Sequence, residues 1–280
     1  MFLISLVIPT YGRYEEVRKL LFSISRQTVP PEQIEVIVVD QNEKINLTDV
    51  IKEYNDSLKI KHIKSTVKGV AYNKNLGLKA ATADIITFPD DDCTFYEDTV
   101  EKALEMFKEL PDASVIYGRV YDRERKRNVM RHWPTETKKL DKFNFHLRYS
   151  AITCFTRVNT LMFDERFGTG SKYGVGEELD YIMQALRSGY KIYYTPDIDV
   201  WHPELNVNVM SEEKTYYYAL GYGATFRKNM LVQFLIIYLL SCSYQLLSAA
   251  KEFFKGDRML ARKRWLALKG RVAGFRQFHP

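Results

Sequence analysis

Over the first 120 residues, short apolar runs alternate with amphipathic ones, and this alternation limits the possible folds more than any other feature. The runs "FLISLVIPT", "IEVIVVDQN", "IKHIKS", "DIITFPD" and "ASVIYGRVYD" read as strands, while "EEVRKLLFSISRQ", "LTDVIKEYNDSL", "VAYNKNLGLKAA" and "YEDTVEKALEMFKEL" between them read as helices. Strands separated by helices of this length predict βαβ crossovers and a mainly parallel sheet, so the fold class is α/β. Near-continuous apolar strands such as "EVIVV" and "DIITF" fit a sheet covered by helices on both faces. Residues 121–150 lack a clear period and read as a charged excursion beside a cleft; order returns with a strand at "AITCFTR", a helix at "GEELDYIMQALRSG" and an extended "KIYYTPDIDVWHP".

Ligands of open α/β sheets bind beyond the carboxyl ends of the strands, so the polar residues there carry the functional information. They are Pro9, Thr10, Tyr11 and Arg13 after the first strand, Asp40 and Asn42 after the second, and Asp90, Asp91 and Asp92 after the fourth. Two carboxylates at i and i+2 can hold one hard divalent cation, whose natural partner is a diphosphate. A helix cap would also use an aspartate, but one cap needs only one of the three. His202 in "DVWHP" reads alone as a structural histidine, and beside two aspartates as the third ligand of a metal site. Asp40 either forms a turn or offers free acceptors to a base or a ribose, and Lys74 and Asn75 on "GVAYNKNLG" either meet phosphate or are simply solvated. Glu177, Glu178 and Asp180 crowd one helix start, more acid than the helix dipole requires, and a carboxylate there can serve as a general base.

Charge divides the chain. Residues 221–280 hold 11 Lys/Arg and 2 Asp/Glu, a balance of +9, so the total of +6 leaves about −3 for the first 220. The stretch 230–250 approaches the length of a membrane span, yet Gln233, Ser241, Ser243, Gln245 and Ser248 interrupt it, and both flanks are basic. Helices lying in the plane of an anionic membrane surface account for both features. Nucleic acid is disfavoured as a partner, because Leu231 to Leu240 is too apolar for such a surface. The three cysteines form no CxxC pair, and the first residues lack a basic segment and a cleavage site, so a reducing, cytoplasmic setting is expected.

Five pieces in order resemble the inverting glycosyltransferases of family 2: "LVIPTYGR", "VIVVDQN", "GVAYNKNLGLKAATADIITFPDDD", "FDERFGTGSKYGVGEELDY" and "SGYKIYYTPDIDVWHP". The resemblance, which covers residues 3 to about 205, implies the GT-A fold, a Rossmann-like nucleotide-sugar domain over 1–214; the apolar and basic run of 215–280 reads beside it as a helical membrane-association region. The resemblance also implies a nucleotide-diphosphate sugar donor, a Mn2+ or Mg2+ cofactor and an acceptor hydroxyl, with a lipid-linked glycan expected as acceptor on the cytoplasmic face of a membrane. By position, Asp90 and Asp92 match the Asp-x-Asp pair and His202 the later ligand, while Thr10, Tyr11 and Asp40 match donor contacts. Glu178 stands where the family usually has aspartate, so Glu178, Glu177 and Asp180 all stay open as the base. Lys74 replaces a frequent arginine and Gln41 a common second aspartate. A membrane-docked module that binds nucleotide sugars without turnover is the alternative, and it has no use for the acidic helix start.

Overall fold

The computed structural model describes residues 3–204 and 210–279. They cluster into two compact units, one of residues 3–68, 72–162 and 185–204, the other of 69–71, 163–184 and 210–279.

The first unit holds the strands β1 (Ile4–Thr10), β2 (Ile34–Asp40), β3 (Lys59–Lys64), β4 (Ile85–Thr87), β5 (Thr94–Phe95), β6 (Val115–Asp122), β7 (Arg127–Asn128), β8 (Lys138–Leu140), β9 (Cys154–Thr156) and β10 (Ile192–Trp201). Their order is β3-β2-β1-β4-β9-β6-β10-β5, with β7 beside β6 and β8 beside β10. The β3-β2-β1-β4 half is parallel, as is β6 with β10. The rest is antiparallel, because β9 enters between β4 and β6 against both. Every residue of β1 and β2 is buried, as apolar runs covered on both faces require.

Helices α1 (Glu15–Ser25), α2 (Thr48–Tyr54) and α4 (Thr99–Glu109) belong to this unit, together with most of α3 (Val70–Ala80). A Cβ at Gly77 of α3 would overlap the Val7 side chain, so this helix lies closer to the sheet than an alanine allows. At Gly118 on β6 an added Cβ would overlap the Ile198 carbonyl, where β10 bulges between Tyr194 and Asp199. The 121–150 excursion is more ordered than its sequence suggests. It contains β7 and β8, and its fully buried Trp133 stacks on Tyr194 at 6.3 Å while donating Nε1–H to the Val129 carbonyl at 2.9 Å.

The second unit takes most of α5 (Glu177–Arg187) and all of α6 (Glu212–Lys228), α7 (Val232–Phe254) and α8 (Arg258–Gln277). Helices α6 and α8 meet backbone to backbone. A Cβ at Gly223 would overlap the Arg271 carbonyl, and one at Gly274 the Leu220 carbonyl. Helix α7 is long and apolar enough to cross a membrane, and it buries only one face, through Phe234, Tyr238, Gln245 and Ala249. Its outward positions include Val232, Leu239, Leu240 and Leu247, each more than half exposed.

Candidate active site

The metal-ligand candidates meet through strand register. After β4 the chain turns at the aspartates, with Cys93 N–H donating to the Asp90 carbonyl at 3.2 Å, and returns as β5. β5 pairs antiparallel with the end of β10, Thr94 opposite Trp201. Asp92 lies two residues before that pair and His202 one residue after it, so ligand atoms of Asp90, Asp92 and His202 come within 4.8 Å of one another. Capping does not explain the cluster, since the residue at the start of α4 is Asp98.

His202 is 5% exposed and its Nδ1–H donates to the Pro203 carbonyl at 2.7 Å. This turns Nε2 toward Asp92, 3.3 Å from Oδ1. Two carboxylates and an imidazole oriented by a carbonyl on its far nitrogen form a donor set that fits a divalent cation. The His202 bond holds the Asp92 carboxyl below its ordinary pKa, against the opposing effect of burial. Burial works against a charged His202, but Asp92 outweighs it and the imidazole pKa is raised. Asp91 differs: burial, with the adjacent Asp92 charge, lifts it to about 6.

Arg13 supplies the balancing charge. Its Nη2 lies 2.9 Å from Asp92 and its Nη1 3.0 Å from Glu16, with Nε 3.9 Å from Asp91. The loop after β1 is tied to the aspartates and to the end of β2: Tyr11 N–H donates to Asp91 at 3.3 Å and Gly12 N–H to Asn42 Oδ1 at 2.6 Å. Thr10, Tyr11, Arg13, Asn42, the aspartates and His202 therefore share one edge of the sheet, with Pro9 buried inside β1. The Tyr11 ring is 55% exposed there.

At two positions the structure removes one of the alternatives the sequence leaves open. Asp40 does not offer free acceptors. It is fully buried, with Oδ1 accepting from Asn42 N–H at 2.8 Å and Oδ2 placed 3.0 Å from His62 Nε2 and 2.6 Å from Lys64 Nζ. Burial raises its pKa, but Lys64, Asn42 and His62 outweigh it and hold the carboxyl below its ordinary value. His62 and Lys64 went unnoticed in the sequence, although β3 pairs with β2 so that Lys64 faces Asp40. Nor is Lys74 solvated: it is fully buried and Asn75 is 3% exposed.

In the second unit the three acids at the start of α5 separate by environment. Asp180 is fully buried, with Oδ1 accepting from Asn229 Nδ2 at 2.7 Å and Oδ2 from Lys228 Nζ and Gln184 Nε2, each at 2.7 Å. Burial raises its pKa despite Lys228. Lys228 also reaches Asp164 at 2.8 Å, and Arg166 pairs with Asp164 at 2.7 Å. Burial opposes ionisation of Asp164, but Arg166 and Lys228 hold it well below its ordinary value. Glu177 is 7% exposed, whereas Glu178 is only half-buried.

Residues 5–169 match the sequence profile of the family described as Glycosyl transferase family 2. This chain belongs to that family. A validoxylamine A glucosyltransferase of Streptomyces hygroscopicus subsp. limoneus is 33% identical over 121 residues, 42% of this chain and 27% of that protein. A glucosyl-dolichyl phosphate glucuronosyltransferase of Haloferax volcanii is 31% identical over 121 residues, 42% of this chain and 38% of that protein. The matches to the first curated relatives span only 27–38% of those proteins' lengths. Among solved structures, the Pyrobaculum calidifontis mannosyltransferase PcManGT, in complex with GDP-Man and Mn2+, superposes with a TM-score of 0.65 at 14% identity. The alignment covers 97% of this family 2 chain and 86% of that one, and the shared fold is GT-A.

Proposed function

We propose that this family 2 chain is a metal-dependent, inverting glycosyltransferase that moves a sugar from a nucleotide-diphosphate sugar to an acceptor hydroxyl. The observation that carries the reading is the convergence of Asp90, Asp92 and His202 on one point. Those residues would hold Mn2+ or Mg2+, and the bound cation would supply positive charge against the departing diphosphate. Asp90, Asp91, Thr10, Tyr11, Arg13 and Asn42 line the same sheet edge and orient the donor, with the exposed Tyr11 ring available to the base. Asp40 meets the nucleoside only if Lys64, whose side chain is 55% exposed, swings off its carboxylate. Lys74 and Asn75, buried on α3, are assigned to the donor phosphates.

The base assigned here is Glu178. Asp180 already receives three side-chain donors and Glu177 is buried, while Glu178 keeps access to solvent. It takes the proton of the acceptor hydroxyl as that oxygen attacks the anomeric carbon opposite the leaving group, so one displacement inverts the configuration.

Residues 1–214 are assigned donor binding and chemistry, and 215–280 membrane association at the cytoplasmic face. The apolar outward positions of α7 and the basic α8 support this assignment. The Haloferax relative, named for a dolichyl phosphate-linked substrate, supports a lipid-linked acceptor in polysaccharide or glycoconjugate synthesis. The test is calorimetry and turnover with a panel of UDP- and GDP-sugars and Mn2+. Glu178→Gln should retain donor binding and lose turnover, and Asp92→Ala should lose metal-dependent binding. Activity that needs no metal and survives Asp92→Ala would sink the proposal.

A further inference from the structure

The loop that leads into the acidic start of α5 has little order of its own. Residues 167–176, "FGTGSKYGVG", hold four glycines, and Gly168 and Gly176 take φ of +93° and +118°, so contacts must fix the backbone. Within the loop, Ser171 N–H donates to the Gly168 carbonyl and Tyr173 N–H to the Arg166 carbonyl, each at 3.1 Å. Its last residue, Gly176, accepts Asp180 N–H at 2.7 Å and so opens α5. A Cβ at Gly168 would stand 3.1 Å from the Glu177 carboxylate. Movement of this loop is therefore movement of the α5 start.

Helix α6 forms one wall. A Cβ at Gly174 would overlap the Tyr217 ring, whose hydroxyl donates to the Ser171 carbonyl, and one at Gly176 would overlap the Thr225 hydroxyl. The other wall is the end of the chain. Helix α8 stops at Gln277, and Phe278 leaves it in extended backbone with its ring 1% exposed, although chain ends are loose unless tied down. That ring stacks on Phe167 at 5.4 Å and tilts against Tyr173 at 5.5 Å. The Arg166 guanidinium stands 4.4 Å over it, and Arg166 Nη1 donates to the His279 carbonyl at 3.3 Å. Phe167 and Tyr173 are also the two sides of the loop's own backbone bridge, so one ring from the chain end braces both at once.

We propose that Phe278 is a positioning residue for the reaction: docked on Phe167 and Tyr173, it fixes the 167–176 loop and with it the α5 start that presents Glu178. This rests on the assignment of Glu178 as the base. Residues 215–280 then contribute to catalysis as well as to membrane association. Loosening Phe278 slows the chemical step and spares donor binding, since no donor-edge residue belongs to this loop.

The test uses full-length Phe278→Ala, hydrogen–deuterium exchange, and release of UDP or GDP from a panel of nucleotide sugars with Mn2+ and water as acceptor. Exchange at the Ser171, Tyr173 and Asp180 amides should rise about tenfold while β1 and β2 stay unchanged. The kcat should fall about tenfold or more and donor affinity change less than about twofold, because a misplaced reacting group acts on the chemical step. Phe278→Leu keeps an apolar side chain without the ring, and should give changes of about threefold in exchange and kcat. If the alanine variant does not fold, the leucine variant decides, and wild-type values for it overturn the role. Tyr238→Ala removes a ring that stacks on Phe275 of α8 at 4.7 Å, and should lower Tm without that loss of kcat.

Unchanged loop exchange in Phe278→Ala overturns the proposal, as does raised exchange with undiminished kcat. Equal losses of kcat and donor affinity, or a kcat loss matched by Tyr238→Ala, would mean general loosening and overturn it too. If the wild-type chain releases no nucleotide from any donor, the Glu178 reading falls and the positioning role with it, even where exchange shows that Phe278 holds the loop.

Discussion

Replacing Lys228 with methionine tests whether the second unit depends on its buried ion cluster. The substitution removes the ammonium group placed 2.7 Å from Asp180 and 2.8 Å from Asp164 while keeping most of the side-chain volume. Removing one partner of a buried pair typically costs about 3–5 kcal/mol, because the remaining charge is left without compensation. Two features lower the figure here. Asp180 keeps its bonds from Asn229 and Gln184, and Asp164 keeps Arg166. A loss of about 2–3 kcal/mol is therefore expected, a fall in Tm of roughly 4–12 °C at the usual 2–4 °C per kcal/mol for chains of this size.

The sign of the pH dependence is fixed by Asp180. Its pKa is already raised by burial in the wild type and rises further without Lys228. A carboxyl with a raised folded pKa weakens the fold above that pKa and ceases to do so once protonated, so the deficit should shrink as pH falls. Urea unfolding followed by far-ultraviolet circular dichroism at several pH values measures both effects. Adding Asp180→Asn to Lys228→Met should recover much of the loss, since a neutral amide needs no counter-charge. A cost below about 1 kcal/mol that is flat with pH would refute the reasoning, as would a double variant no better than the single one.

His202→Ala should reduce Mn2+ affinity at least about tenfold by calorimetry, since it removes one of the three candidate ligands; unchanged affinity would overturn its role. Gly118→Ala should destabilise by about 1–3 kcal/mol in urea, because the new Cβ meets the Ile198 backbone rather than a movable side chain. Acid should weaken the first unit through Asp40 and Asp98, whose folded pKa values lie below their ordinary ones. The stability they contribute is complete above the unfolded carboxylate range near about 4 and is lost as pH falls through the depressed values, so Asp40→Asn should flatten that part of a urea-midpoint profile.

Strand and helix identity in the first 120 residues was legible because both patterns are written in the side chains themselves: β1 and β2 are mostly apolar and wholly buried, and α1 and α4 each bury a single stripe. What the sequence hid is pairing between distant segments. β5 is two residues long, too short for any period to appear, yet its pairing with β10 brings Asp92 to His202. The antiparallel entry of β9 was equally hidden, since a three-residue strand carries no sign of its direction. Which reading of Asp40 holds was hidden for the same reason. The carboxylate sits at a strand end where ligands bind, but its partners Lys64 and His62 belong to another strand, and only register shows that they face it.

The acidic start of α5 shows the same limit in side-chain terms. In the sequence Glu177, Glu178 and Asp180 differ by one methylene at most and are equally eligible as bases. In the structure a lysine and an asparagine at the end of α6, 48 and 49 residues further on, occupy Asp180. One local signal was available and unused: the spacing of Gly270 and Gly274 on α8 marks a helix that packs by direct backbone approach. The α6–α8 contact that those glycines permit sets the spacing of the C-terminal helices. The basic side chains of α8 then occupy its remaining faces, Lys263 and Arg264 on one and Arg258 and Arg262 on another. The seven basic residues of α8, which composition shows only as a total, are thereby kept off the face that Gly270 and Gly274 give to α6.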